Sequence, residues 1–153
     1  MHVTSLEMFI DAAKAIFVEI GFLDLKINTA GNNNKYDIIA SIGITGEFTG
    51  FLIIRSNLQS SMNFINKMLS NIGIEAKETN FGQFHKEAFG EILNQISGRA
   101  TMLLESNGIN SNRTPPTILT GSNISINTYD AVETLHKNIE GTFGSFNLLV
   151  GIK

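Results

Sequence analysis

The sequence predicts an α+β fold, an antiparallel sheet covered by helices. Apolar residues recur at helical spacing over three separate stretches, and Ile-, Phe- and Leu-rich runs of strand length lie between and after them, divided by Gly and Asn. The order is the third observation: a helix and three strands precede two helices and four further strands. This is a weak αββ-type repeat, and two such halves would place their strands in one antiparallel sheet.

The elements follow in turn. From Ser5 to Ile20, Leu6, Phe9, Ile10, Ala13, Ile16, Phe17 and Ile20 fall on one face, with Thr4 or Ser5 as cap and Gly21 as stop. Strands are expected at Phe22 to Asn28, Tyr36 to Ile44 and Glu47 to Ser56, with a loop at Gly31 to Asn34 and a tight turn at Thr45-Gly46. A second helix spans Leu58 to Ile72, capped by Ser56 or Asn57 and ended by Gly73. A long third helix runs from Asn80 to Ser106 and closes at Asn107-Gly108. Asn110 to Pro116 reads as loop, because Pro116 lacks an amide donor and two successive prolines disfavour helix. Strands follow at Thr117 to Thr120, Asn123 to Asn127, Ala131 to Ile139 and Phe143 to Ile152. In the last, Phe146, Leu148, Val150 and Ile152 alternate, so one face is buried.

At 153 residues the whole chain, 1–153, is expected to form a single domain, which buries near 70% of its unfolded surface without metal or disulfide staples. The absence of cysteine excludes disulfides, zinc-thiolate sites and thiol nucleophiles, and leaves a reduced, cytoplasmic setting as the expectation. The first residues carry Glu7 and Asp11 where a signal peptide would be apolar, so no export is expected. Asn112-Arg-Thr114 matches a glycosylation acceptor, which has no meaning without secretion. The longest apolar runs, such as Phe51 to Ile54, fall far below the roughly 20 residues of a membrane span. A net charge of −3 with no basic run argues against nucleic acid or an anionic membrane as partner. Phosphate-cradling glycine loops and a serine nucleophile elbow are both missing. No metal site is expected, since His2 has no acidic or histidine neighbour in sequence, His85 lies on an apolar helix side, and in a strand Glu133 and His136 face opposite ways.

The long helix is the most informative segment. At roughly 100° per residue, Phe84, Ala88, Phe89, Ile92, Leu93, Ile96, Ala100, Leu103 and Leu104 share one broad side. Gln83, Glu87, Glu91, Asn94, Gly98 and Thr101 form the opposite stripe, with Glu91 and Asn94 about 4.5 Å apart along the axis. The stripe holds carboxylates and amides and no cation, with Arg99 pointing elsewhere. Spacing alone is met equally by a solvated helix face. Gly90 and Gly98 each cost on the order of 1 kcal/mol relative to Ala in a helix. Gly90 reads as internal packing, while Gly98, on the stripe, is open to either packing or partner approach.

The run Glu91-Ile-Leu-Asn94, with Glu87 four residues earlier, Gly98 beyond it and Pro115-Pro116 downstream, resembles the signature of the CheC/CheX/FliY family of bacterial chemotaxis phosphatases. Glu87 stands where the family pattern has Asp or Ser. The resemblance implies the CheC-like fold, an antiparallel sheet built from two αββ-type halves. Glu91-Ile-Leu-Asn94 is the only such match in the chain. The first helix has Ile10-Asp-Ala-Ala-Lys14 where a second site would stand, so the single-site CheX type is favoured.

The resemblance further implies hydrolysis of the aspartyl phosphate of a CheY-type response-regulator receiver, terminating a chemotaxis signal. The receiver would hold its own Mg²⁺ and Lys around the phosphoryl group. Asn94 would orient the attacking water, Glu91 would meet the receiver's Lys, and Glu87, Gly98 and Pro116 would lie at the partner contact. Neither Glu nor Asn is a strong nucleophile, and an amide both donates and accepts, so the pair suits positioning on a bond activated elsewhere. A non-catalytic module of the same fold, binding a receiver or a flagellar-switch component, is the alternative. A homodimer through sheet edges is also implied, and the strand-rich C-terminal segment would suit such an edge.

Overall fold

The structure, a computed structural model, describes residues 2–31, 35–75, 80–128 and 130–153. Its elements are α1 (His2–Glu19), β1 (Lys26–Thr29), β2 (Tyr36–Gly46), β3 (Gly50–Ser56), α2 (Leu58–Asn71), α3 (Gln83–Ser106), β4 (Ser111–Arg113), β5 (Thr117–Ile124), β6 (Glu133–Gly141) and β7 (Gly144–Ile152). Every strand pairing is antiparallel, in the order β1-β6-β7-β3-β2, and the outer side of β2 is shared by β4 and β5. Equating β1, β2 and β3 with β5, β6 and β7 turns this order into its own reverse. Each half therefore lends its first strand to the other, and the two αββ-type halves are joined through one sheet.

β7 is buried on both faces from Phe146 to Ile152, not on one face as its alternation predicts, because it lies inside the sheet with a core cluster on each side. Phe146, Leu148, Val150 and Ile152 join Ala40, Ile42 and Ile44 of β2 and Leu52 and Ile54 of β3 beneath the helices. Ile39, Phe51, Ile53 and Leu149 form a second, smaller cluster on the opposite face with the partly buried Ile124, Ile126 and Ala131. The chain following β5 thus shields that face, which is why β3 is buried along its whole length rather than alternately. Under the helices, Phe64 of α2 is fully buried against Phe17, Phe22, Phe89, Phe143 and Phe146, with ring centroids 4.4–6.1 Å away.

Several boundaries differ from the sequence reading for local reasons. α1 begins at His2, and Ser5 is buried inside it instead of capping it, since nothing in the preceding turn breaks a helix. Its end is as expected: Gly21, at φ 96°, and Phe22 bond back to Val18 and Phe17. Phe22 drops into the aromatic core, so β1 begins only at Lys26. The Thr45-Gly46 turn is displaced to the residues after Gly46, and β3 begins at Gly50. α2 is capped by the Asn57 side chain, which accepts from Ser60 N at 2.7 Å. α3 starts at Gln83 instead of Asn80, where His85 Nδ1 accepts from the Gly82 N–H. The expected loop at 110–116 contains β4, and the strands expected at Thr117 and Asn123 are one strand, β5, with a register shift against β2. The loop expected at Gly31 to Asn34 falls largely on residues 32–34, outside the described residues.

The C-terminal strands are not an edge. β7 lies between β3 and β6, and β6 between β7 and β1, because the exchanged strand β1 closes that side; the sheet ends instead at β1 and at β4 with β5. Among the described residues no helix is long and apolar enough to cross a membrane.

Phe64→Ala empties the centre of the aromatic cluster and is expected to cost about 3–5 kcal/mol. Urea unfolding of the variant beside wild type measures it.

Candidate functional site

α3 turns its apolar side, Phe89, Ile92, Leu93, Ile96, Ala100 and Leu104, into the core. Phe84 departs from the expected arc: it lies in the first turn, 40% exposed, while His85 takes the buried position and stacks on Phe81. The polar stripe runs along the outside as the spacing required. Glu87 and Glu91 are exposed, Asn94 is half-buried, and Gln83 and Gln95 donate to Glu87 and Glu91, each at 3.3 Å.

The stripe borders an open groove of about 590 Å³ whose opposite wall is Pro116 and Ile118, at the start of β5. Glu87, Glu91 and Asn94 line it from the helix side. Gly90 forms its floor and is buried, and a side chain there would stand 3.6 Å from Pro116 Cγ. Gly90 thus faces the Pro115-Pro116 segment across a close contact in which an alanine Cβ would also fit. That segment is fixed from its other side by β2, since Thr114 N donates to Gly43 O at 2.9 Å and Gly43 N to Thr114 Oγ1 at 2.8 Å.

A cation does reach the stripe. Arg113, the last residue of β4, donates through Nη1 to the backbone oxygen of Asn94 at 2.6 Å and to its Oδ1 at 3.0 Å. Lys86 lines the groove as well. A helical wheel of α3 finds no cation at Asn94 because Arg113 arrives from a strand 19 residues along the chain. Arg99 does point elsewhere, to Glu19 of α1 at 2.7 Å. Gly98 is outside the groove lining; the space its side chain would take is filled by Arg113, whose Nη1 would lie 2.8 Å from a Cβ there.

A second polar cluster, which the sequence reading missed, occupies the helix-free face of the sheet. Arg55 of β3 is buried, donates to Asn147 Oδ1 of β7 from Nε at 3.0 Å and Nη2 at 2.6 Å, and stacks on Tyr36. His136 Nε2 of β6 lies 2.9 Å from Arg55 Nη2 and 2.5 Å from Asn147 Oδ1. Burial pushes the His136 pKa below its ordinary value and Arg55 pushes it the same way, against the hydrogen bond with Asn147, which raises it. The signal available in sequence was weak, because the three residues come from three strands and become neighbours only through the register Arg55↔Asn147 and His136↔Leu149.

The family model described as chemotaxis phosphatase CheX matches residues 38–140, which include α3 and the groove. A curated relative, the CheY-P phosphatase CheX of Thermotoga maritima, is 27% identical over 97 residues. The match covers 63% of this chain, and the chain spans about 60% of that relative's length. Among solved structures, a CheC-like superfamily protein from Shewanella sp. PV-4 superposes with a TM-score of 0.83 at 22% identity, over 100% of this chain and 99% of that one. The CheX-CheY-BeF₃-Mg²⁺ complex from Borrelia burgdorferi gives 0.74 at 19% identity, over 96% of each chain. The fold is therefore CheC-like.

His136 has a testable consequence. With its folded pKa below the unfolded value near 6.5, the unfolded chain takes up the proton first as pH falls. Stability is then full above about pH 6.5 and declines below it toward the folded-state pKa. His136→Gln is expected to flatten this part of the profile in thermal melts between pH 5 and 7.

Proposed function

The chain belongs to the chemotaxis phosphatase CheX family, and we propose that it hydrolyses the aspartyl phosphate of a CheY-type receiver, with Asn94 orienting the attacking water. The observation that carries this reading is the placement of Glu91 and Asn94 one helical turn apart on the rim of an open groove, inside the matched segment. In the reaction the water oxygen forms the new P–O bond and the acyl P–O bond breaks. The aspartate leaves as carboxylate, and inorganic phosphate departs with the protons of the water.

The site has no strong nucleophile and no base adjacent to one, so its contribution is placement. The charge on the phosphoryl group is met by the receiver's own Mg²⁺ and Lys, and the added amide supplies alignment for in-line attack. The partner named in the Borrelia complex, a CheY with Mg²⁺ and a phosphoryl-like BeF₃, supports that division of labour. Glu91, exposed beside Asn94, anchors the receiver through its Lys. Glu87 on the helix and Pro116 on the facing wall border the groove and are assigned to the same contact. All of this belongs to one domain of residues 1–153 that acts on a cytoplasmic partner. A second copy that pairs through a sheet edge would use β1 or the side formed by β4 and β5, since the C-terminal strands are interior.

Asn94→Ala is expected to lower acceleration of phosphate loss from an acetyl-phosphate-charged receiver by about 100-fold or more while the fold persists. Turnover at the wild-type rate in that variant refutes the role. Glu91→Ala is expected to weaken binding to a BeF₃-activated receiver by about tenfold, more than Asn94→Ala does. Calorimetric titration decides it, and equal affinities for wild type and Glu91→Ala remove the anchor.

A further inference from the structure

Arg113 touches Asn94 from outside its helix and lies at none of the positions that carry the family resemblance. Its Nη1 bridges the backbone oxygen and the Oδ1 of Asn94. A guanidinium has N–H donors and no acceptor, so the amide atom facing it is the oxygen and the Nδ2 group is turned away. The terminal torsion of an asparagine is otherwise broad and roughly two-fold, and an exposed amide left alone samples both orientations.

Resting on the hydrolase reading above, we propose that Arg113 is a positioning residue for that reaction. It holds the Asn94 amide in one orientation, with Nδ2 presented outward to the phosphoryl oxygens and the second lone pair of Oδ1 available to the water. Two features of the chain around it agree. The backbone of Arg113 is fixed by pairing with Ile44 on β2, and Thr114 is bonded to Gly43 on both sides, so the guanidinium projects from a rigid base. One turn along the same face, Gly98 leaves room for the guanidinium, since a Cβ there would lie 2.8 Å from Nη1 and 3.3 Å from Cζ. A glycine in a helix interior is disfavoured relative to alanine, and here an alanine would displace the guanidinium from its place beside Asn94.

The test compares wild type, Asn94→Ala, Arg113→Met, Arg113→Lys and Gly98→Ala in phosphate release from an acetyl-phosphate-charged CheY-type receiver. Arg113→Met keeps a long side chain without its donors and is expected to lower kcat about tenfold with KM within about twofold. Arg113→Lys, which retains a donor, is expected to recover activity to within about threefold of wild type. Gly98→Ala displaces the guanidinium while favouring the helix, so kcat falls without a fall in Tm. In the free protein, the Asn94 side-chain amide, identified by its disappearance in Asn94→Ala, is expected to lose NMR order in Arg113→Met. A wild-type kcat in Arg113→Met beside an inactive Asn94→Ala overturns the role of Arg113 and leaves the hydrolase reading standing. A loss confined to KM, or an amide equally ordered without the guanidinium, overturns it as well. No acceleration by the wild-type protein overturns both.

Discussion

α3 has to satisfy two surfaces at once. One side is drawn into the core by Phe89, Ile92, Leu93, Ile96, Ala100 and Leu104, and the adjacent side has to receive the chain that crosses from β4 to β5. The close approach of Pro116 and Ile118 to Gly90 makes the second contact possible. An alanine at Gly90 would only touch Pro116 Cγ at 3.6 Å, whereas a residue much larger than alanine would push the Pro115-Pro116 segment off and the groove would lose its far wall. Arg113, two residues before those prolines, would also be carried away from Asn94. The groove, its rim of Glu91 and Asn94, and the guanidinium contact thus depend on one packed interface between the helix and the sheet edge.

β2 governs that interface from below. Its outer side pairs with β4 through Ile44 to Gly46 and with β5 from Tyr36 to Ser41, and the prolines lie in the gap between the two partners. Proline cannot donate to a ladder, so the interruption of pairing falls where the donors are missing. The strand exchange between halves then ties this edge to the rest of the molecule: β5 belongs to the second half in sequence yet pairs with the first half's β2, as β1 pairs with β6. Neither half presents a complete sheet without the other, which favours one cooperative unit.

Periodicity made α3 and its two faces legible, because nine apolar positions over six turns leave little freedom in the burial of the helix. It also made one face of β7 legible, through Phe146, Leu148, Val150 and Ile152, but not the burial of its other face, which Asn147 and Leu149 complete. β4 was not, since Ser111-Asn112-Arg113 has neither alternation nor β-branched residues, and it is a strand only because β2 has an unsatisfied edge beside it. β5 read as two pieces, broken at Gly121-Ser122, and next to that break Asn123 does adopt φ 53° within a strand whose register shifts against β2. The spacing of Glu91 and Asn94 was visible in the chain, while Arg113 as a neighbour of Asn94, and the Arg55, His136 and Asn147 cluster, required strand register. Pairings between distant segments leave no periodic trace in any one of them.

The two halves differ in what surrounds their long helices. α1 and α3 each open a half and pack against one another, yet in α1 the stretch Ile10-Asp-Ala-Ala-Lys14 places Ile10, Ala12 and Ala13 in the core. A helix can present a reactive stripe only where a neighbouring segment borders that stripe without covering it. The β4 to β5 crossing borders α3 in this way, with Pro116 and Ile118 leaving the groove open while Arg113 reaches Asn94. The first half has only the short β1 as the counterpart of β5, four residues paired to β6 and preceded by Phe22 buried in the core. The difference between the halves therefore lies in the approach to the exchanged strand as much as in the helix. In the second half that approach carries both the groove wall and the guanidinium that donates to the Asn94 side-chain oxygen.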